Sequence, residues 1–232
     1  MLRYFSWQER LLWAGSVLGI VGSFLLFRQD SALTLVASLI GVTSLLFIAK
    51  GNPVGQFMTI VFSLIYGVIS YTFHYYGEML TYLCMTMPMA AASLVAWLKN
   101  PYQGNKSEVK VDRLSRADIR RLCLLAVGVT AAFFFILRHF QTPNLLPSTL
   151  SVTTSFVAVY LTFCRSPLYA IAYAANDLVL ILLWSLAAAT DMAYWSVVVC
   201  FLAFFANDIY GFISWSRMEK RQTTGQTKKS RA

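Results

Sequence analysis

The chain has 232 residues, of which 58% are hydrophobic and 12% charged, and its net charge is +9. A soluble domain carries roughly 25% charged and 45–50% apolar residues, so this composition excludes a sizeable soluble domain and indicates a polytopic membrane protein. Lys and Arg are concentrated near residues 99–121 and 217–231. The positive charge is therefore a sign of membrane topology, and we expect no nucleic-acid partner.

Eight apolar segments follow one another, each near the roughly 20 residues that cross the hydrocarbon of a bilayer. They are predicted at residues 11–27, 32–49, 54–73, 79–98, 120–137, 147–164, 167–188 and 192–215. A cleaved signal peptide is the alternative for the first segment, but no clear small-residue cleavage site follows Phe27. We predict an all-α protein with about eight transmembrane helices.

Basic residues mark every second loop. They precede the first segment and follow the second, fourth, sixth and eighth, as in Arg10, Lys50, Lys99, Arg165 and Arg217. The other loops carry Arg28 with Asp30, Glu78, Arg138 and Asp191. The positive-inside rule then places both termini in the cytoplasm of a cell inner membrane. We predict one transporter domain over residues 1–221, with a long cytoplasmic loop at 99–119, and a disordered polar tail over 222–232.

Two halves of the chain look alike when shifted by 113 to 115 residues. The turn Lys50-Gly51-Asn52-Pro53 matches Arg165-Ser166-Pro167, and Gly77-Glu78-Met79 matches Thr190-Asp191-Met192. A first triplet of helices at 31–98 and a second at 147–216 then flank a linker helix at 120–138. One linker helix leaves both triplets in the same orientation, as in the parallel repeats of SWEET transporters, and the first helix stands outside this 3+1+3 core.

Polar side chains form a stripe on the seventh segment. Tyr169, Tyr173, Asn176 and Asp177 fall at positions i, i+4, i+7 and i+8 of one helix face. A carboxylate at bilayer depth costs about 2.5–3.5 kcal/mol and persists where it faces a bundle interior, a partner or water. We predict that this stripe is one wall of a small-molecule site, in which the tyrosines stack and Asn176 and Asp177 orient the ligand.

Further candidates for the site lie on neighbouring segments. The eighth segment repeats the Asn-Asp pair as Asn207-Asp208, and the third carries Gln56 and Tyr66 at helical spacing. Since no Lys or Arg occupies a segment interior, the carboxylates must be protonated, hydrogen-bonded or in contact with a cationic guest. Two alternatives stay open for these residues, which are hydrogen bonds that only bridge helices and a relay for Na⁺ or H⁺.

Other chemistry has little support in the sequence. The four cysteines stand singly on different segments and both histidines, His74 and His139, lie at segment ends, so we predict no metal site and no cofactor. An intramembrane enzyme using Asp177 and Asp208 is the alternative from another class, but no nucleophile motif accompanies them. Tyr82 is a candidate for lining a cavity. The tryptophans near segment ends are predicted to sit at the membrane interface, namely Trp7, Trp13, Trp97 and Trp215.

Several fragments in fixed order point to a known family. They are Y-G-V-I-S-Y, Y-Y-G-E-M-L and A-W-L-K-N-P in the first half, then N-D-L-V-L-I-L-L-W and A-N-D-I-Y-G-F-I-S-W. Over residues 31–221 the chain resembles the PnuC family of vitamin transporters, which take up nicotinamide riboside. The resemblance implies a SWEET-like 3+1+3 fold, a homotrimer, and facilitated diffusion drawn inward by phosphorylation of the riboside in the cytoplasm.

The substrate helix of that family typically carries W-x-x-W-x-x-x-N. Asn176 fits the Asn, whereas Tyr169 and Ala172 stand at the two Trp positions, and Tyr173 is the ring that would replace the second. The pyridinium of nicotinamide riboside suits aromatic faces, which attract a cation by roughly 0.5–2 kcal/mol, and Asp177 would offset its charge. A phosphate would require Lys or Arg, so the riboside is favoured over the mononucleotide. A transporter of another vitamin or nucleoside coupled to H⁺ or Na⁺ is the alternative.

Overall fold

The computed structural model of the chain describes residues 4–27, 31–72, 76–142 and 144–229, with the backbone alone for 226–229. Its helices are α1 Trp7–Leu26, α2 Ala32–Ala49, α3 Pro53–Thr72, α4 Tyr76–Leu80, α5 Met87–Lys99, α6 Arg116–His139, α7 Leu145–Phe163, α8 Leu168–Ala188 and α9 Trp195–Lys229. A π-helical segment, Thr81–Thr86, joins α4 to α5, and a 3₁₀ turn, Met192–Tyr194, precedes α9. Within these residues eight helices, with α4 to α5 taken as one, are long and apolar enough to cross a membrane. The prediction of eight spans is confirmed.

Two helices begin earlier than predicted because their first turns are polar. Ser6 and Glu9 form a reciprocal capping box before α1, and Ser115 and Asp118 form another before α6. Each pair satisfies backbone N–H groups that a helix start leaves unbonded. A hydropathy pattern detects only the apolar turns that follow, so the predicted starts at residues 11 and 120 lie four residues late.

The helices of the two predicted triplets form a closed ring. In the first triplet α3 packs between α2 and α5, and in the second α8 packs between α7 and α9. Contacts of α2 with α9 and of α5 with α7 close the ring, while α1 lies against α2 and α9 and α6 lies against α7. This arrangement leaves a space between the triplets in which a site can form.

The turns that open the middle helices have matching backbones 114 residues apart. Gly51 and Arg165 both have left-handed backbone angles, with φ of 65° and 58°. The N–H of Gly51 donates to the carbonyl of Ile48, and the N–H of Arg165 donates to that of Thr162. These shared hydrogen bonds give the sequence repeat a structural counterpart.

The connection between α5 and α6 contains a short β-hairpin, which the sequence analysis did not predict. Strand β1, Pro101–Tyr102, pairs antiparallel with β2, Asn105–Val109. The N–H of Val109, the last residue of β2, donates to the carbonyl of Gly51, and beyond the hairpin the N–H of Asp112 donates to that of Arg165. This connection therefore ties together the two matching turns, at what we call the hairpin end of the bundle.

The predicted disordered tail is wrong for residues 222–229, because α9 continues through Lys229. Gln222 is buried, its Nε2 donates to the carbonyl of Val109, and its Oε1 accepts from the N–H of Val111. The tail is ordered where it packs against the hairpin connection, a contact that its polar composition does not reveal. Arg28, Asp30, His74 and residues 230–232 lie outside the described residues.

Candidate substrate cavity

A cavity of about 450 Å³ lies between the two triplets, toward the end of the bundle opposite the hairpin. Small-molecule sites in proteins typically measure about 300–1,000 Å³, so this volume suits a compact ligand. Its walls come from α3, α4, the π-helical segment, the end of α6 with the connection to α7, α7, α8, the 3₁₀ turn and the start of α9. The rings that line it are those of Tyr66, Tyr76, Tyr82, Phe140, Trp184, Tyr194 and Phe201.

The polar lining is made of hydroxyls, amides and one carboxylate. Serines of α7, threonines of the π-helical segment and Asn176 supply most of it. Glu78 is the single charged residue among the described lining residues, which include no Lys or Arg. Such a lining can hold a neutral or cationic guest, but it offers a phosphate no positive partner.

Asn176 is held in the cavity wall by the neighbouring helix. Its Oδ1 accepts a hydrogen bond of 2.8 Å from Thr154 Oγ1 on α7. That bond fixes the carboxamide and leaves its NH₂ group as the donor available to a ligand. Leu180, Trp184 and Ala187 continue the same face of α8 along the cavity.

Aromatic rings close the cavity at its deep end. Tyr66 and Tyr82 lie with ring centroids 4.9 Å apart, and Phe62 contacts both of them. Tyr82 is thus a cavity residue, as the sequence suggested. The π-helical segment that carries it widens one helical turn, a feature often found at functional sites.

The predicted tyrosine platform lies outside the cavity. Tyr169 is fully buried toward the hairpin end, where its ring meets that of Trp215 edge to face with centroids 4.9 Å apart. Tyr173 lies beside Tyr169 and packs against the same cluster. The rings of Tyr169 and Tyr173 therefore pack at the closed hairpin end, and Trp184 is the aromatic residue of α8 that lines the cavity.

The two acidic residues predicted for the site lie outside the cavity. Asp177 on α8 and Asp208 on α9 are both buried, and Asp177 Oδ2 has no hydrogen-bond partner among the described residues. Neither residue lines the cavity, so the predicted offset of a guest's charge by Asp177 is not seen.

The remaining two candidates also lie elsewhere. Asn207 Nδ2 donates to Ser16 Oγ of α1 over 2.9 Å and to the carbonyl of Ala203. Gln56 is buried in the first turn of α3, away from the cavity. Of the eight predicted site residues, the structure brings Tyr66 and Asn176 to the cavity.

Two buried tryptophans close the hairpin end, and their predicted place at the membrane interface is wrong. Trp97 Nε1 donates to the carbonyl of Thr162 and Trp215 Nε1 to that of Ile48, over 3.0 and 2.8 Å. Their ring centroids are 5.4 Å apart. The same two carbonyls also accept the backbone N–H groups of Arg165 and Gly51, so each indole adds a second donor to a helix-end carbonyl.

The sequence analysis missed Glu78 and Trp184 as cavity residues. Trp184 lies eight residues after Asn176, so it shares the helix face of the predicted stripe. The sequence analysis extended the polar stripe from Asn176 toward the start of α8, whereas the cavity extends from Asn176 toward the end of that helix. Glu78 was assigned to an outer turn because the π-helical segment after α4 has no sequence signal of its own.

Comparison with known proteins supports the resemblance found in the motifs. Residues 31–217 match the family described as nicotinamide mononucleotide transporter. The nicotinamide riboside transporter PnuC of Neisseria mucosa is 25% identical over 219 residues, which are 91% of this chain and 82% of that protein. The protein of the same name from Haemophilus influenzae is 20% identical over 195 residues, 83% and 82% of the two chains.

A solved structure shares the fold. The crystal structure of the vitamin B3 transporter PnuC has a TM-score of 0.79 to this chain at 22% identity, and the match covers 94% of both chains. The family match spans most of the sequence, and the eight apolar helices agree with a multi-pass membrane protein. This chain therefore belongs to the nicotinamide mononucleotide transporter family, that of the PnuC proteins.

Proposed function

We propose that this protein imports nicotinamide riboside across the cytoplasmic membrane by facilitated diffusion. The observation that carries the proposal is the cavity lining, which combines aromatic rings, the Asn176 carboxamide and one carboxylate. Nicotinamide riboside presents matching groups, namely a cationic pyridinium, a carboxamide and ribose hydroxyls. The names of the two relatives support the same substrate.

The riboside fits this lining better than the mononucleotide in the family's description. A phosphate is normally bound by Arg, Lys or helix N-termini. The described cavity wall includes the N-cap residue of α7, Asn144, but neither Arg nor Lys, and its Glu78 would repel a phosphate. We therefore propose that the dephosphorylated form is carried.

In the proposed complex, the pyridinium lies among the rings of Tyr66, Tyr82 and Trp184. A ring face contributes roughly 0.5–2 kcal/mol to binding a cation, depending on how much water is excluded. The NH₂ group of Asn176 donates to the ligand's carboxamide oxygen or to a ribose hydroxyl. The hydroxyls of α7 are close enough in the same cavity to complete the ribose contacts.

The proposed transport cycle is based on the ring that the helices of the two triplets form. The basic turns and loops lie at the hairpin end, so we place this end and both chain termini in the cytoplasm. The cavity then lies in the outer half of the membrane. We propose that the triplets are parallel repeats in a SWEET-like 3+1+3 arrangement, and that they rock about the turns before Pro53 and Pro167. The PnuC resemblance extends the proposal to a homotrimer.

Uptake into liposomes tests the proposal. Purified protein in proteoliposomes should bring labelled nicotinamide riboside to equal concentrations inside and outside, without an ion gradient. Uptake that requires a proton or sodium gradient would overturn facilitated diffusion and favour the coupled alternative, for which the buried Asp177–Asp208 pair is the natural ion site. Absence of uptake both with and without an ion gradient would overturn nicotinamide riboside as the proposed substrate. Membership in a transporter family speaks against the intramembrane enzyme.

A further inference from the structure

We propose that Glu78 supplies the counter-charge that makes the cavity select a permanent cation over a neutral nucleoside of the same shape. The inference rests on the proposed function and deepens it, because it assigns the choice of charge to one residue. It also replaces Asp177, to which the sequence had given this role.

Glu78 is placed where it can meet a guest. It belongs to α4 and lines the cavity. The ion pairs found within the described residues, such as Lys50–Glu9 and Arg165–Asp112, do not involve it. Among the same residues its carboxylate accepts no hydrogen bond, whereas a carboxylate removed from bulk water needs water, a donor or a cation. A cationic ligand meets that need.

Aromatic rings surround the same space. Tyr82 lies one helical turn after Glu78, and Tyr66 contacts Tyr82. Trp184 and Tyr194 stand with ring centroids 5.5 Å apart on the α8 and α9 side of the cavity. Rings around a site with one carboxylate form the kind of cage that binds quaternary nitrogen cations. The pyridinium nitrogen of nicotinamide riboside belongs to that class.

Close packing holds α4 in place. A Cβ atom built on Gly77 would come within 2.5 Å of Leu137 Cδ2, so the absence of a side chain at Gly77 lets α4 lie directly on the end of α6. This contact fixes the residue next to Glu78. Asp177, by contrast, is buried on α8 and does not line the cavity.

The experiment compares two ligands that differ in charge. Benzamide riboside replaces the pyridinium nitrogen with carbon and so is a neutral analogue of nicotinamide riboside with the same shape. Both are titrated into the purified full-length protein by calorimetry. The variant is Glu78→Gln, and the control is Asp191→Asn. Asp191 lies at the same end of the bundle, is exposed and is absent from the cavity wall, and an asparagine there can still accept from the N–H of Ala193.

We expect the wild type to bind nicotinamide riboside at least about tenfold more tightly than benzamide riboside. Glu78→Gln should weaken the binding of nicotinamide riboside by about the same factor and leave benzamide riboside nearly unchanged. Asp191→Asn should alter neither affinity.

Equal affinity of the wild type for both ligands would overturn the inference without any variant. Unchanged binding by Glu78→Gln would also overturn it, as would equal losses for both ligands, since equal losses indicate a structural role. These outcomes leave the proposed function standing. A wild type that binds no nicotinamide riboside would overturn the proposed function and, with it, this inference.

Discussion

Trp97 and Trp215 cap each other's triplet. Each stands near the hairpin end of the last helix of its own triplet and donates its indole N–H to a carbonyl of the first helix of the other triplet, Thr162 or Ile48. The rings meet between these two bonds, and both side chains have no exposed surface. The hairpin end is therefore closed by a pair of reciprocal contacts that must separate if this end opens during transport.

Replacing either tryptophan with phenylalanine should destabilise the protein by about 0.5–1.5 kcal/mol, because the buried indole hydrogen bond is lost while the carbonyl keeps its backbone donor. Thermal unfolding in detergent measures the loss. The loss of stability in the double variant should differ from the sum of the losses in the two single variants, since contacting residues do not act independently. Trp7→Phe is the control, because Trp7 is 66% exposed. If the single variants are as stable as the Trp7→Phe control, the two tryptophans do not stabilise the closed hairpin end.

Asn176→Ala should abolish or strongly reduce uptake of nicotinamide riboside while the protein stays folded, because the variant loses the cavity-lining amide that we propose binds the ligand. Asn207→Ala removes the same group from the neighbouring helix, where it bonds Ser16 outside the cavity. This control should keep its uptake and lose about 0.6 kcal/mol of stability, a typical value for a hydrogen bond between membrane helices. Uptake assays and melting curves separate the two effects. Normal uptake by Asn176→Ala would remove that residue from the site.

Gly51→Ala should destabilise the protein more than Gly104→Ala. Both glycines have positive φ, so an alanine costs about 1–2 kcal/mol at either position from backbone strain. At Gly51 the new Cβ would also lie 3.2 Å from Met218 Cε and from Val109 Cγ1, whereas at Gly104 nothing lies within 4 Å. The difference between the two melting temperatures measures the packing of the hairpin connection on this turn. Equal losses would mean that this packing is loose.

Glu9→Gln should loosen the docking of α1. The Glu9 carboxylate contacts Lys50 Nζ at 3.1 Å and accepts a 2.9 Å hydrogen bond from the hydroxyl of Tyr210, which ties α1 to α2 and α9. Glu9 is buried, so we expect a loss of about 2–4 kcal/mol in the free energy of unfolding.

The control for this prediction is Glu219→Gln, which breaks the exposed pair with Arg113. Exposed ion pairs contribute about 0–1 kcal/mol, so this variant should unfold close to the wild type. Chemical unfolding of both variants supplies the comparison. A Glu9 variant as stable as the Glu219 variant would mean that α1 is held by its apolar contacts alone.

The sequence by itself determined the membrane-spanning class, the eight helices and the family. Spans of hydrocarbon length need long apolar segments, and that requirement is local, so it is visible residue by residue. The predicted repeat also depends on a local signal, since the turns at Gly51 and Arg165 precede Pro-containing motifs at a nearly constant spacing. The position of Asn176 on the site face followed from helical periodicity.

Only the tertiary structure decided which end of the α8 stripe meets the cavity. Periodicity places Tyr169, Asn176 and Trp184 on similar faces but says nothing about the depth at which neighbouring helices separate. For the same reason, helical periodicity could not show which acidic residue lines the cavity. Asp177 is as polar as Glu78 in sequence, yet Asp177 is buried away from the cavity while α4 leaves Glu78 beside an open space. Contacts between distant segments determine such choices, and a local pattern does not contain them.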